Sequence, residues 1–327
     1  MKTVIMAGGR GTRISSVASD IPKPMIKIEG KPVLEHELEC LRDQGFTDII
    51  LTVSHLGSII MDYFGDGSGI SPATGKPFGV HIEYYFEKEP LGNAGALFKI
   101  KDKLDSDFLL LNADAVFDVD FNRFVAFHNQ HGGLVTLFTH PNSHPYDSGL
   151  IIADKKYSVE QWLAKEDDRP KYYRNRVNAG LHVINPLILD QSGIDADKVG
   201  TLDDNGKPIK VDLDRQLLKP LAGTGKMFCY DSPEYVKDMG TPERYYSVCE
   251  DYKAGRVSGK NLKNKQKAIF LDRDGTINKY VRPIIESDGF TIGEDINLVH
   301  APERIIPGNM VYELKHNSRT IGADSLE

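Results

Sequence analysis

The chain has 327 residues, enough for a full hydrophobic core and two domains, and its formal charge of −7 excludes the broadly basic surface of a general nucleic-acid binder while leaving room for a local cationic pocket. Cys40, Cys229 and Cys249 are three, odd and widely spaced, which fits neither a disulfide framework nor a zinc site and points to a reducing cytoplasm. No apolar run approaches the roughly 20 residues that a bilayer crossing requires, and residues 4–7 are too short for a signal-peptide core, so no membrane partner is expected.

Residues 2–7 read as a buried strand that leaves through Gly8-Gly9-Arg10-Gly11-Thr12-Arg13. Residues 33–44 carry Val33, Leu34, Leu38 and Leu41 at helical spacing, with Gly45 as a stop. Strands are expected over 48–54, 80–86, 107–111 and 134–139, with helices over 56–64 and 121–131 between them. This alternation predicts an α/β fold: a Rossmann-like, mostly parallel but mixed sheet with helices on both faces. From 148 to 183 the pattern turns to strands with little helix, which predicts a smaller mixed-sheet region. Helices are expected over 211–221 and 241–252. Residues 255–267 are polar and basic and read as a solvated linker, between a domain over 1–254 and a fragment over 268–327.

The first loop offers backbone N–H groups and arginines immediately after a buried strand. It is no dinucleotide fingerprint, because Ile14 stands where a third glycine is needed, and no Walker A loop, which requires Gly-Lys-Ser/Thr. Residues 223–226 (Gly-Thr-Gly-Lys) are a decoy: Met227 has no hydroxyl for a metal, and the stretch reads as a turn. Further on, Pro22 and Pro24 restrict the backbone around Lys23, which can reach back over the glycines with little loss of freedom. Backbone donors, Arg13 and Lys23 together suit a triphosphate.

AGGRGTR, PKPM and GKPVLEH, followed in order by DYFGDGS, EPLGNAGAL and MGTPERYY, resemble the sugar-1-phosphate nucleotidyltransferases over residues 1 to about 250. Ile14-Ser15-Ser16 departs from the family, where a Leu and a Pro-Leu-Thr stretch are common. The resemblance implies that Arg13, Lys23, Asp114 and Asp238 are the catalytic set, and that Ala7, Gly8, Gly9, Gly11, Thr12, Glu87, Pro90 and Gly92 bind the nucleotide. Asp114 lies just past an apolar strand, where open α/β sheets place their ligands, and its carboxylate suits Mg²⁺. In the family, aspartates at Asp114 and Asp238 share that metal. Asp118 and Asp120 read instead as turn and helix N-cap residues. Glu87 stands where the base is read. A carboxylate only accepts, which suits the adjacent N1–H and N2–H₂ donors of guanine; an exposed charge is the other reading. Gly92 is expected to let the backbone approach the ring closely.

The sugar phosphate side is implied at Gly149, Lys165 and Asn178, although Ala164 stands where relatives often have Glu, with Glu166 following Lys165. Trp162, Tyr172 and Tyr173 read as packing residues, and no role falls to His140 or His144. The tail begins AIFLDRDGTIN, which resembles the first motif of haloacid-dehalogenase-type phosphatases of the histidinol and heptose bisphosphate group, with Asp272 as nucleophile and Asp274 as acid/base. Only 53 residues follow Asp274, so an incomplete, inactive fragment is expected.

The resemblances together imply a cytoplasmic enzyme that joins a nucleoside triphosphate, GTP favoured, to a sugar 1-phosphate and releases pyrophosphate. A phosphatase of that group would make a heptose 1-phosphate. This favours the D-glycero-D-manno-heptose 1-phosphate guanylyltransferases, with GDP-heptose as product. The alternatives are mannose or glucose 1-phosphate as substrate, or a non-catalytic nucleotide-sugar-binding relative. Whether the chain forms a homo-oligomer stays open.

Overall fold

The computed structural model describes residues 1–9, 20–142, 145, 148–264, 287, 299–300 and 322–323. The strands are Thr3–Met6 (β1), Asp48–Val53 (β2), His81–Phe86 (β3), Phe108–Asn112 (β4), Ala115–Asp118 (β5), Val135–His140 (β6), Leu150–Ala153 (β7), Val159–Leu163 (β8), Val177–Ile184 (β9), Met227–Asp231 (β10) and Tyr235–Asp238 (β11). The helices are Val33–Arg42 (α1), Gly57–Phe64 (α2), Gly95–Lys99 (α3), Phe121–His131 (α4), Leu187–Gln191 (α5), Pro242–Lys253 (α6) and Arg256–Gly259 (α7). Nine strands form one sheet in the order β8-β7-β9-β4-β1-β2-β3, with β6 pairing β9 and β10.

The run β4-β1-β2-β3 is parallel, and β10 is parallel to β6. β9 runs antiparallel to both β4 and β6, so the sheet is mixed, as its sequence pattern predicts. Period-2 alternation decides which helix each strand residue meets. Ile5, Leu51, Leu109 and Leu111 pack with Leu38 and Leu41 of α1, Phe64 of α2 and Phe124 of α4. Val4, Ile50, Phe108 and Leu110 face the other way, onto Leu97 and Phe98 of α3 and Ile188 and Leu189 of α5. Both faces are therefore covered, which is why these strands read as unbroken apolar runs.

A second, two-stranded sheet pairs β5 with β11. It is closed by a small core of Ile26, Ile28, Val33, Val116, Tyr235, Met239, Val248 and Val257. That core fastens three distant stretches together: the 20s, the residues after β4, and the α6 region.

The chain departs from its sequence-based outline in two places. Residues 211–221 do not make one α-helix. Leu213–Leu218 is a π turn and Lys219–Leu221 a 3-10 turn, because Pro220 has no N–H with which to continue an α-helix. The first part of the expected linker, 255–267, is folded. Val257 is buried in the small core, Asn261 Nδ2 donates to Asp118 Oδ1 at 2.6 Å, and the Leu262 N–H donates to Glu234 Oε1 at 2.9 Å. One valine and one asparagine are enough to dock a stretch whose composition is otherwise that of a solvated segment.

The chain divides into compact units over 1–263 and 264–327. In the second unit the described strands are Val299–His300 and Gly322–Ala323, paired antiparallel. Among the described residues no helix is long and apolar enough to cross a membrane.

Candidate active site

Four parallel strands end at one edge of the sheet. Ala7 follows β1 and donates to Thr52 O of β2 at 2.8 Å, Glu87 follows β3 and donates to Val53 O at 2.7 Å, and Ala113 follows β4 and donates to Met6 O at 3.3 Å. The residues just past β1, β3 and β4, namely Gly8, Glu87 and Asp114, are thereby aligned at the carboxyl ends, where an open α/β sheet leaves a crevice.

Asp114 is joined there by Lys23 and Asp238. Lys23 sits in a 3-10 turn, Lys23–Met25, entered from Pro22 in an extended conformation. Its ammonium donates to Asp114 Oδ2 at 2.5 Å, with Lys23 only 9% exposed and Asp114 39%. Asp238 arrives through the small sheet, as the register partner of Ala115, and the Met239 N–H donates to Asp114 O at 3.1 Å. The two aspartates thus stand on adjoining backbone. Burial alone would raise the pKa of Asp238, but the Arg244 guanidinium, the Gly240 N–H and the nearby Lys23 charge outweigh it and hold the carboxyl below its usual value. Two partly exposed carboxylates of this kind form a hard-oxygen donor set that fits a divalent cation.

Gly8 lies against Glu87. A Cβ at Gly8 would stand 3.1 Å from Glu87 Oε1, and Ser54 Oγ donates to Gly8 O at 2.7 Å. Burial raises the pKa of Glu87, opposed by the Leu91 N–H. Gly9 and Pro90 are exposed beside them. Gly92 also takes part in packing. It has a φ of +82°, and a Cβ there would fall 2.3 Å from Val211 O. The glycine serves packing of this loop against residues 211–213, fastened by Val211 N to Leu91 O at 2.9 Å and Leu213 N to Asn93 Oδ1 at 2.7 Å. Gly11, Thr12 and Arg13, like His144, Asp272 and Asp274, lie outside the described residues.

On the sugar side, Gly149 precedes β7 and packs against Trp162, which is core. Asn178 lies in β9, and its N–H donates to Gly149 O at 3.4 Å. Burial, against the opposing Leu110 carbonyl, lowers the His182 pKa to about 4, so its ring is neutral near pH 7 and Nε2 can donate to Asn178 Oδ1 at 3.1 Å. Gly180 packs directly on Asn112, which places this part of β9 beside the strand leading to Asp114. Lys165 is 64% exposed, with Glu166 4.0 Å away. Tyr172 is 83% exposed and is no packing residue, unlike Trp162.

Two residues join the site that the sequence did not single out. Arg244, in the first turn of α6, donates from Nη1 to both oxygens of Asp238 at 2.9 Å. Glu37, on α1, is 1% exposed with neither carboxylate oxygen hydrogen-bonded. Burial, then the charge of Asp114, push its pKa well above the ordinary value. Its i+4 spacing from Val33 and to Leu41, both fully buried, is the signal that could have found it. Asp120 is the N-cap of α4, accepting from Arg123 N at 3.1 Å. Asp48, His81 and Glu83 cluster at the opposite, amino ends of β2 and β3, but Glu83 there is ion-paired with Lys103.

Comparison with known proteins bears on this arrangement. Residues 2–255 match the family model described as nucleotidyl transferase. The chain is 27% identical over 250 residues to "Probable mannose-1-phosphate guanylyltransferase 2" of Oryza sativa subsp. japonica, covering 75% of this chain and 63% of that protein. It is 29% identical over 251 residues to the mannose-1-phosphate guanyltransferase of Saccharomyces cerevisiae, covering 76% and 63%. The chain thus spans less than two thirds of the length of these curated relatives. Among solved structures, HddC from Yersinia pseudotuberculosis matches with a TM-score of 0.59 and 26% identity, over 77% of this chain and 99% of that one; it has also been solved complexed with GMP-PN.

Proposed function

Because the chain belongs to the nucleotidyl transferase family, we propose that it transfers a nucleoside monophosphate from a triphosphate to a sugar 1-phosphate, releasing pyrophosphate. The observation that carries this reading is the convergence of Lys23, Asp114 and Asp238 at the carboxyl edge of the parallel strands. An α/β sheet puts ligands at that edge, and two carboxylates beside a buried lysine suit a metal-bound polyanion better than a neutral ligand.

The chemistry asks for charge management rather than for a base. A sugar 1-phosphate oxygen is already an anion at neutral pH, so it attacks the α-phosphorus without proton abstraction, and pyrophosphate leaves with the bonding electrons. Asp114 and Asp238 would hold a divalent cation, read as Mg²⁺, which supplies Lewis-acid polarisation of the phosphoryl oxygens. Lys23 would then face the triphosphate, joined by Arg13 and the N–H groups of Gly8, Gly9, Gly11 and Thr12. Lys165 would meet the sugar phosphate, its exposure leaving it free to turn inward, with Gly149 and Asn178 toward the sugar.

For the base, guanine is favoured by the acceptor-only carboxylate of Glu87 against the glycine loop and by guanylyltransferases among the relatives. For the sugar, a heptose 1-phosphate is the first reading. Mannose 1-phosphate is the second, favoured by the two mannose-1-phosphate guanylyltransferases above. The motif that carries Asp272 and Asp274 is what favours the heptose, but neither aspartate has a catalytic part in either reading. A pyrophosphate-release assay with GTP, ATP, UTP and dTTP against heptose, mannose and glucose 1-phosphates tests both: release with one pair is expected, and no release with any pair overturns the proposal.

A further inference from the structure

The two candidate metal ligands are each already paired with a cation of the chain. Lys23 stands on Asp114 at 2.5 Å, and Arg244 stands on Asp238 at 2.9 Å to both oxygens. The local sum is neutral: two carboxylates against one ammonium and one guanidinium. A polyanion approaching such a site gains little. If a divalent cation takes the carboxylates, these two pairings break together, and the added charge favours phosphates at the site.

The second pairing is built into the local fold. Thr241 caps α6, accepting from Arg244 N at 3.3 Å, and Pro242 starts the helix, so Arg244 is fixed in its first turn. Asp238 folds back toward that turn and accepts from Gly240 N at 2.7 Å. A Cβ at Gly240 would lie 2.7 Å from Asp238 Oδ1 and 3.6 Å from Arg244 Nη1, so a side chain there would push the carboxylate aside. Lys23 also acts on Asp238 electrostatically, which puts both cations around one pair of carboxylates. A guanidinium at a helix N-terminus gains nothing from the helix dipole, so its two hydrogen bonds to Asp238 work against that field to keep it here. Guanidinium groups match phosphoryl oxygens as well as carboxylates.

We propose that Arg244 is a phosphate-binding residue of this site, held on Asp238 until a divalent cation takes that carboxylate, as Lys23 is held on Asp114. This rests on the nucleotidyltransferase reading above. It assigns Arg244 a contact with phosphoryl oxygens, either of the triphosphate or of the sugar 1-phosphate.

The test uses the full chain and two binding measurements that do not depend on turnover. Mn²⁺ binding is followed by electron paramagnetic resonance without substrate. GTP and mannose 1-phosphate binding are then followed separately by calorimetry at saturating Mn²⁺, for wild type, Arg244→Met and Arg244→Lys. Arg244→Met is expected to bind Mn²⁺ at least as tightly as wild type, since a competitor for Asp238 is gone. It is expected to lose about tenfold or more in affinity for one of the two phosphate ligands, with Arg244→Lys in between. The arm that weakens identifies which phosphate Arg244 meets. Weaker Mn²⁺ binding in both variants would make Arg244 a clamp that positions Asp238 and overturn the proposal. Unchanged affinity for both phosphate ligands would overturn it too. A wild-type chain that binds neither Mn²⁺ nor GTP defeats the function reading itself, and this inference with it. If Arg244→Met does not fold, Arg244→Lys decides by the same two measurements.

Discussion

Lys23 and Asp114 are 91 residues apart in the chain and meet at 2.5 Å, with the lysine buried and the aspartate part exposed. A buried ammonium is costly unless paired, so this contact fixes the turn after Pro22 against the end of β4. Asp114→Asn keeps the shape and an acceptor for Lys23 but removes the charge. It should still fold, at a somewhat lower melting temperature because Lys23 loses its counter-charge, while pyrophosphate release falls by about 10²-fold or more. Near-normal release by this variant would take Asp114 out of the mechanism.

Glu87 is expected to set the base. Glutamine there keeps one acceptor but turns an amide donor toward a guanine donor. Glu87→Gln should lower kcat/KM for GTP by about 10- to 100-fold, the worth of a hydrogen bond to a charged group, and narrow the preference over ATP. Equal losses with GTP and ATP would assign Glu87 to packing against Gly8 instead.

Arg176 and Asp231 hold the mixed-sheet half together. Arg176 is 5% exposed and donates from Nε and Nη2 to the two oxygens of Asp231, each at 2.6 Å, while Thr139 Oγ1 donates to Oδ1 at 2.6 Å. Arg176→Met leaves Asp231 without its bidentate partner and should destabilise the chain by about 3 kcal/mol in urea melts. A loss under about 1 kcal/mol would mean that Arg174, 3.0 Å from Oδ2, replaces it.

Asp214 should make stability fall as pH rises. Burial, then the charge of Asp212, push its carboxyl from 3.8 up to about 6. The unfolded chain therefore releases this proton first. The contribution is fully present below about pH 4 and is lost as pH rises through about 6. Asp214→Asn has no proton to lose, so its advantage over wild type should appear across that window and reach about 3 kcal/mol above it. A stability difference that does not change with pH would show that Asp214 ionises normally.

Much of this was legible because the site is made of short motifs at strand ends. An apolar run followed by Asp places Asp114 correctly, and the prolines around Lys23 do give it a fixed approach. Asp238 was harder, since it reaches Asp114 through a separate two-stranded sheet that no local pattern announces. Arg244 was not singled out, because no local pattern announces the turn that folds Asp238 back onto it. Glu37 shares the i+4 stripe of Val33 and Leu41, but α1 also buries Glu35 and His36, so that spacing had to be weighed against two polar neighbours and Glu37 was missed. Gly92 was legible as a required glycine, but its packing on Val211 was not, because Val211 lies 119 positions downstream in the sequence.

Asp114 and Asp238 are expected to share one divalent ion. The most direct measurement is an anomalous difference map from crystals of the full chain grown with Mn²⁺ and a non-hydrolysable GTP analogue. A single strong peak within coordination distance of both carboxylates is the predicted result. A peak instead at Asp48, His81 and Glu83, or none near Asp114, would contradict the account.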